Sequence, residues 1–153
     1  MKKFRFRLQT LLRLRQQQQD QKQRRVGSLL DRIQIEQNQA LQMAQGLSRE
    51  GEQLRHQYAK GRIDLTWIAQ YRRYVTATQN AINERVRRVG HIQTELHGAR
   101  QELAEAAKHT RILETLRERQ LQRHNHALAR FEAAELDDIA TRTYTRKMHE
   151  QLT

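Results

Sequence analysis

Two runs of residues spaced alternately four and three apart, separated by one short break, constrain this chain more than any other feature. Val26, Leu30, Ile33, Gln37, Ala40, Ala44, Leu47, Gly51, Leu54 and Tyr58 form the first run. Ile68, Tyr71, Val75, Thr78, Ile82, Arg85, Val89, Ile92, Leu96, Ala99, Leu103, Ala106, Thr110 and Leu113 form the second. A repeat of about 3.5 residues keeps one stripe of a helix facing a partner helix, so both runs predict α-helices packed along a heptad seam. Upstream, Phe4, Leu8 and Leu11 begin the same spacing, after which Arg15, Gln18 and Lys22 occupy the seam. Three successive four-residue steps then lead to Leu30, which predicts local unwinding of the stutter type. Beyond Leu113, Leu116, Leu121, Leu128, Phe131, Leu136 and Ile139 keep helical spacing without one strict register. That end is expected to pack differently or to stay partly unpaired.

The break reads Lys60-Gly61-Arg62-Ile63-Asp64-Leu65-Thr66. Gly61 suits the left-handed residue that ends a helix, and Asp64 or Thr66 can cap the next one. The predicted fold is therefore all-α: a long antiparallel two-helix coiled-coil hairpin. It forms one elongated domain over 1–153, with helix 1 at about 3–59, the turn at about 60–65, helix 2 at about 66–140 and a frayed terminus at 141–153. The chain has no proline and only six glycines, and Gln, Arg, Leu, Glu and Ala dominate, all of which keep most of their rotamer freedom in a helix. The biased tract Gln16 to Gln23 is read as helix for the same reason. Asp20 with Arg24, Arg32 with Glu36, Glu84 with Arg88 and Asp138 with Arg142 stand at ion-pair spacing, worth a few tenths of a kcal/mol each. Because the stripe carries Gln37, Gly51, Thr78, Arg85 and Thr110, the isolated fold is expected to be marginal, its ends ordering fully only against a partner.

Charge says more about partners than about fold. The formal net charge is +12, and residues 1–25 alone hold nine basic side chains (Lys2, Lys3, Arg5, Arg7, Arg13, Arg15, Lys22, Arg24, Arg25) against the single acid Asp20. Such an excess steers association with an acidic protein surface, anionic lipid or nucleic acid. The basic stretch is interleaved with Phe4, Phe6, Leu8, Leu11, Leu12 and Leu14, however, so part of it carries an apolar face suited to a helix or a protein groove. No nucleic-acid partner is expected, since no groove-reading motif accompanies the charge. Arg5, Arg7, Arg13 and Arg15 interrupt the apolar residues after Lys2 and Lys3, which speaks against a secretory signal. Apolar runs are two or three residues long, far short of the roughly 20 that span a bilayer, and cysteine is absent. A cytoplasmic chain without a transmembrane segment is the expectation.

Reactive constellations are missing. His124 and His126 are two apart and face different sides of a helix, no H-E-x-x-H occurs, and His91, His97 and His109 read as polar surface. Glu114 and Glu118 lie one turn apart with no concave site to shield them. Without a P-loop or a dinucleotide fingerprint, neither nucleotide nor any other cofactor is expected. The sequence offers no catalytic residue and no metal ligand set, and the chain is read as a non-enzyme. Aromatics gather near the break, where Tyr58, Trp67 and Tyr71 are expected to staple the hairpin. Tyr74, beside Arg72 and Arg73 and outside the seam, marks an exposed patch of the kind enriched at protein interfaces.

Residues Met1 to Arg15, MKKFRFRLQTLLRLR, closely resemble the start of the FliJ family of flagellar type III export proteins. Gly61 to Tyr74, GRIDLTWIAQYRRY, is similar to the family's turn followed by Trp and closely spaced aromatics, and Leu113 to Arg119 also agrees. The resemblance covers essentially the whole chain. It implies a fold similar to the coiled coil of the rotary ATP synthase γ subunit. It further implies a stalk-like export component, cytoplasmic and peripheral to the inner-membrane export apparatus. Its ends would enter the hexameric export ATPase, its bend would contact the membrane export-gate protein, and it would also escort export chaperones. On that reading Phe4, Arg5, Arg7 and Leu8, with Arg142, Arg146 and Lys147, are candidates for the ATPase ring, because charge and apolar groups coincide there. Leu54, Tyr58, Tyr74, Thr78 and Ala81, on neighbouring turns near the tip, are candidates for the gate. The stalk proteins of virulence type III secretion systems share the hairpin plan and form the alternative, ahead of a basic nucleic-acid-binding coiled coil.

Overall fold

A computed structural model describes residues 3–61 and 64–150, with side chains through Arg146. Arg62 and Ile63 of the expected turn, Lys2, and residues 151–153 of the expected frayed end lie outside the described residues. The architecture is all-α, with two long helices packed against each other, α1 (Gln9–Ala59) and α2 (Leu65–Glu150), and no strand among the described residues. α1 ends at Lys60 and Gly61, whose amides donate to the Gln57 and Tyr58 carbonyls at 3.1 and 3.0 Å. Gly61 has φ +73°, a conformation that disfavours any residue with a Cβ. Asp64 caps α2: its Oδ1 accepts from the Thr66 amide at 2.9 Å, supplying one of the acceptors that a helix start lacks.

Two helix limits differ from the sequence reading. α1 starts at Gln9 rather than near residue 3, and α2 runs to Glu150 rather than to about 140. The first difference has a geometric cause. Phe6 and Leu12 are both buried, at 6% and 1% exposure, yet on one continuous helix they would lie about 120° apart. Ending the helix at Gln9 and turning the chain at Arg7 and Leu8 lets both face inward.

The chain divides into two compact units. In one, Gln19–Glu105, the core is Leu29, Ile92, Leu96 and Ala99, with Val26 and Ile33 packed against it. All fourteen predicted seam positions of α2, from Ile68 to Leu113, are buried or half-buried. In α1 six of the ten predicted seam positions are correct. Val26, Ile33, Ala40, Leu47, Gly51 and Leu54 face inward, whereas Leu30, Gln37, Ala44 and Tyr58 are exposed, and Leu29, Glu36 and Met43 take the alternate layers. Steps of three and four from Val26 land about 60° and 40° to either side of it, so spacing alone does not choose. Chemistry does: the structure buries Met43 in place of the smaller Ala44, and it brings Glu36 to a basic partner. Counted this way, Leu12, Arg15, Gln19, Lys22 and Val26 step regularly by three and four, and no stutter is needed.

The partner of Glu36 is Arg85, whose Nη1 donates to Glu36 Oε2 at 2.8 Å and also bonds Gln39. Arg88 Nε reaches the same carboxylate oxygen at 3.3 Å. These cross-helix bonds replace the within-helix pairs expected of Arg32 with Glu36 and Glu84 with Arg88, and Arg32 instead faces Glu95 at 3.9 Å. The expected Asp138–Arg142 pair does form, at 2.9 Å. Desolvation pushes the Glu36 carboxyl up, but the Arg85 hydrogen bond and the Arg88 and Arg85 charges outweigh it and hold it below the ordinary 4.5. Glu102 is likewise lowered, by the Lys22 hydrogen bond at 2.7 Å and the charges of Lys22 and Arg25.

A carboxyl whose pKa falls on folding stabilises the fold above its unfolded pKa, and that stabilisation is lost as pH falls through the folded value. Thermal unfolding at low salt should therefore be level from neutral pH to about 5 and drop below about 4.5. In the double variant Glu36→Gln, Glu102→Gln the drop should be shallower. Superimposable pH profiles for the two proteins would show that these pairs contribute nothing.

Candidate functional site

The residues singled out by sequence fall into three places. In the unit formed by the chain up to Gln18 together with the part from Ala106 on, α1 begins without an acidic residue or a capping side chain in its first turn. The preceding segment is held by aromatic burial. The Phe4 ring lies on His124 at a centroid distance of 5.7 Å, tilted by 47°, and Phe6 is buried. Beside these anchors Arg5 and Arg7 remain exposed and, with Phe4, Phe6, Gln9, Thr10 and Arg117, line a groove at the start of α1. Leu8 is 38% exposed beside it. Three guanidinium groups thus surround a partly apolar floor, an arrangement that fits an acidic protein surface better than a bare charge run would. Arg117 was not singled out from sequence. It becomes visible only once α2 is placed beside the N-terminal segment.

Arg142 and Arg146 are not part of that groove. Arg142 lies eighteen residues past His124 on the same helix, about 27 Å along its axis. It pairs with Asp138, and the side chain of Lys147 lies outside the described residues. The expected union of the N-terminal aromatic and basic residues with Arg142 and Arg146 is thus replaced by one with Arg117 and His124.

Near the bend, in the unit Gln19–Glu105, the five candidates separate into two kinds. Leu54, Thr78 and Ala81 are half-buried, and Leu54 lines a groove with Leu47, Gly51, Tyr71 and Val75. Tyr58 and Tyr74 are 39% and 43% exposed, and the Trp67 and Tyr71 rings stack 6.2 Å apart, one turn apart on α2 rather than across the two helices. Tyr74 joins Trp67, Tyr71, Gln70 and Glu50 around an aromatic cleft. Two glycines shape this region: a Cβ on Gly51 would lie 3.0 Å from the Tyr71 hydroxyl, and one on Gly46 would lie 3.6 Å from that of Tyr74. From sequence Gly51 counts only as a seam position that weakens the stripe. The structure uses Gly51 as the notch that admits a tyrosine.

Among the described residues no three His, Cys, Asp or Glu side chains come together as a metal site requires. Glu114 accepts a hydrogen bond from Gln16 at 3.4 Å, and Glu118 is exposed. No described helix is long and apolar enough to cross a membrane. What these surfaces offer is binding through exposed arginines, tyrosines and leucines. The family model described as flagellar FliJ protein matches residues 4–149. No curated protein and no solved structure matches the chain.

Proposed function

The chain belongs to the FliJ family of flagellar proteins, a non-enzymatic component of type III export, and from that premise we propose that it acts as a stalk between the hexameric export ATPase and the membrane export gate. In this reading it works in the cytoplasm, peripheral to the inner membrane, and escorts export chaperones. The N-terminal groove carries the proposal: Arg5, Arg7 and Arg117 converge around Phe4 and Phe6 beside exposed Leu8. Phe4, Arg5, Arg7 and Leu8 are the proposed ATPase contacts. Arg142, Arg146 and Lys147 are a second contact, separate from the first. Tyr58 and Tyr74, with half-buried Leu54, Thr78 and Ala81 behind them, are the proposed gate contacts.

The test is direct binding of purified chain to the ATPase and to the soluble part of the gate protein. Arg5→Glu with Arg7→Glu should weaken ATPase binding at least roughly tenfold, with most of the loss in association rate and reduced by salt. Gate affinity should be unchanged. Tyr58→Ala with Tyr74→Ala should do the reverse. Wild-type ATPase affinity in the arginine variant would overturn the assignment of the groove.

A further inference from the structure

The last described turns of α2 have no cover. Every side chain from Ala129 to Arg146 is exposed, including Phe131 at 45%, Leu136 at 67% and Ile139 at 59%. At 100° per residue these three fall on one face about 140° wide. A helical face of this kind, left open over some five turns, is half of an interface. Its charges identify the other half. Glu132 and Glu135 lie on that face before Ile139, and Arg142 and Arg146 lie on it after.

The spacing is symmetric about Ile139 to within one residue. Glu132 precedes it by seven residues and Arg146 follows it by seven, while Glu135 precedes by four and Arg142 follows by three. A second copy laid antiparallel, with its two-fold axis at Ile139, sets Glu135 of each chain beside Arg142 of the other and Glu132 beside Arg146. All four ion pairs then form at once, as an isologous contact requires. The two Ile139 side chains meet on the axis. A parallel pair would instead oppose glutamate to glutamate and arginine to arginine. The existing Asp138–Arg142 bond is no obstacle, because its partners are 66% and 80% exposed and such pairs are worth little.

We propose that the C-terminal part of α2 is a self-docking surface, on which a second copy of the chain pairs antiparallel about Ile139. The contact spans few turns, so the dimer is weak and concentration-dependent. This inference does not rest on the stalk reading. It adds a consequence to it, since a paired chain covers Arg142 and Arg146.

Sedimentation equilibrium of the full chain alone tests it, with no ATPase or gate protein present. At low salt the apparent mass should rise from the 18.3 kDa of one chain towards twice that value as concentration increases. Ile139→Glu should hold it at one chain over the same range, with helicity by circular dichroism unchanged, since the site is exposed. Glu135→Arg and Arg142→Glu should each weaken association roughly tenfold, and combining them, which restores opposite charges across the axis, should recover most of it. A mass of one chain at every concentration would overturn the proposal, as would a dimer that survives Ile139→Glu. A double charge reversal no better than the single variants would also overturn it.

Discussion

Leu29→Ala is expected to destabilise the chain by about 3 kcal/mol, and Leu30→Ala by less than about 1 kcal/mol. The two leucines are adjacent and chemically identical, so the difference comes only from where each one sits. Leu29 is 4% exposed and belongs to the cluster with Ile92, Leu96 and Ala99, while Leu30 is 43% exposed. Truncating the first leaves a cavity in a core one stripe wide, whose neighbouring layers include the polar Glu36 and Arg85 and cannot collapse into it. Truncating the second removes methyl groups that already touch water. Urea unfolding followed by circular dichroism reads both, as a large fall in the midpoint for Leu29→Ala and little change for Leu30→Ala. Equal losses, or a larger one at Leu30, would return α1 to the register of Leu30, Gln37 and Ala44.

That comparison also locates what the sequence could and could not specify. The fold class, the single break, the left-handed Gly61 and the Asp64 cap are all local signals, and each has a direct physical cause in residue type. The α2 seam was legible as well, because at its centre Ile92 lies between His91 and Gln93 and Leu96 between Glu95 and His97, so no apolar neighbour competes for the inward position. α1 was not, because Leu29-Leu30 places equal leucines on both sides of the seam, and the deciding contact lies across the helix pair, between Glu36 and Arg85. Helix propensity also extended α1 through Phe4 and Phe6. Only the demand of burying Phe6 and Leu12 together ends it at Gln9.

The candidate surfaces divide in the same manner. Phe4, Arg5, Arg7, Leu8 and Tyr74 announce themselves as aromatic or apolar residues next to guanidinium groups, and the structure keeps four of them exposed. Arg117 and His124 carry no such local signal; their role follows from the register of α2 against the N-terminal segment. Grouping Arg142 with Arg5 requires the two chain ends to lie together. They do not, since Phe4 meets α2 at His124 and the helix continues to Glu150. The surplus length that separates those arginines also leaves Phe131, Leu136 and Ile139 uncovered.

Leu12 joins packing to function most directly, and Leu12→Ala is the second variant with a large expected effect. Leu12 is 1% exposed, and no other described side chain is so completely buried. It lies in the first turn of α1, next in the chain to the segment that carries the proposed ATPase groove. Removing three of its carbons should cost about 3 kcal/mol, within the range for buried leucines, and lower the melting temperature on the order of 10 °C. The loss should fall on the N-terminal segment first, because Phe6 and the Phe4–His124 contact are the apolar anchors that would remain to it. Trypsin should then cleave after Arg5, Arg7 and Arg13 several-fold faster than in the unaltered chain, while cleavage within the Leu29 core changes little. ATPase affinity should also fall although every proposed contact residue is intact, because the groove must be reassembled on binding. Unchanged proteolysis at these arginines would mean that Leu12 does not anchor the segment, and the groove would then owe its shape to the two phenylalanines alone.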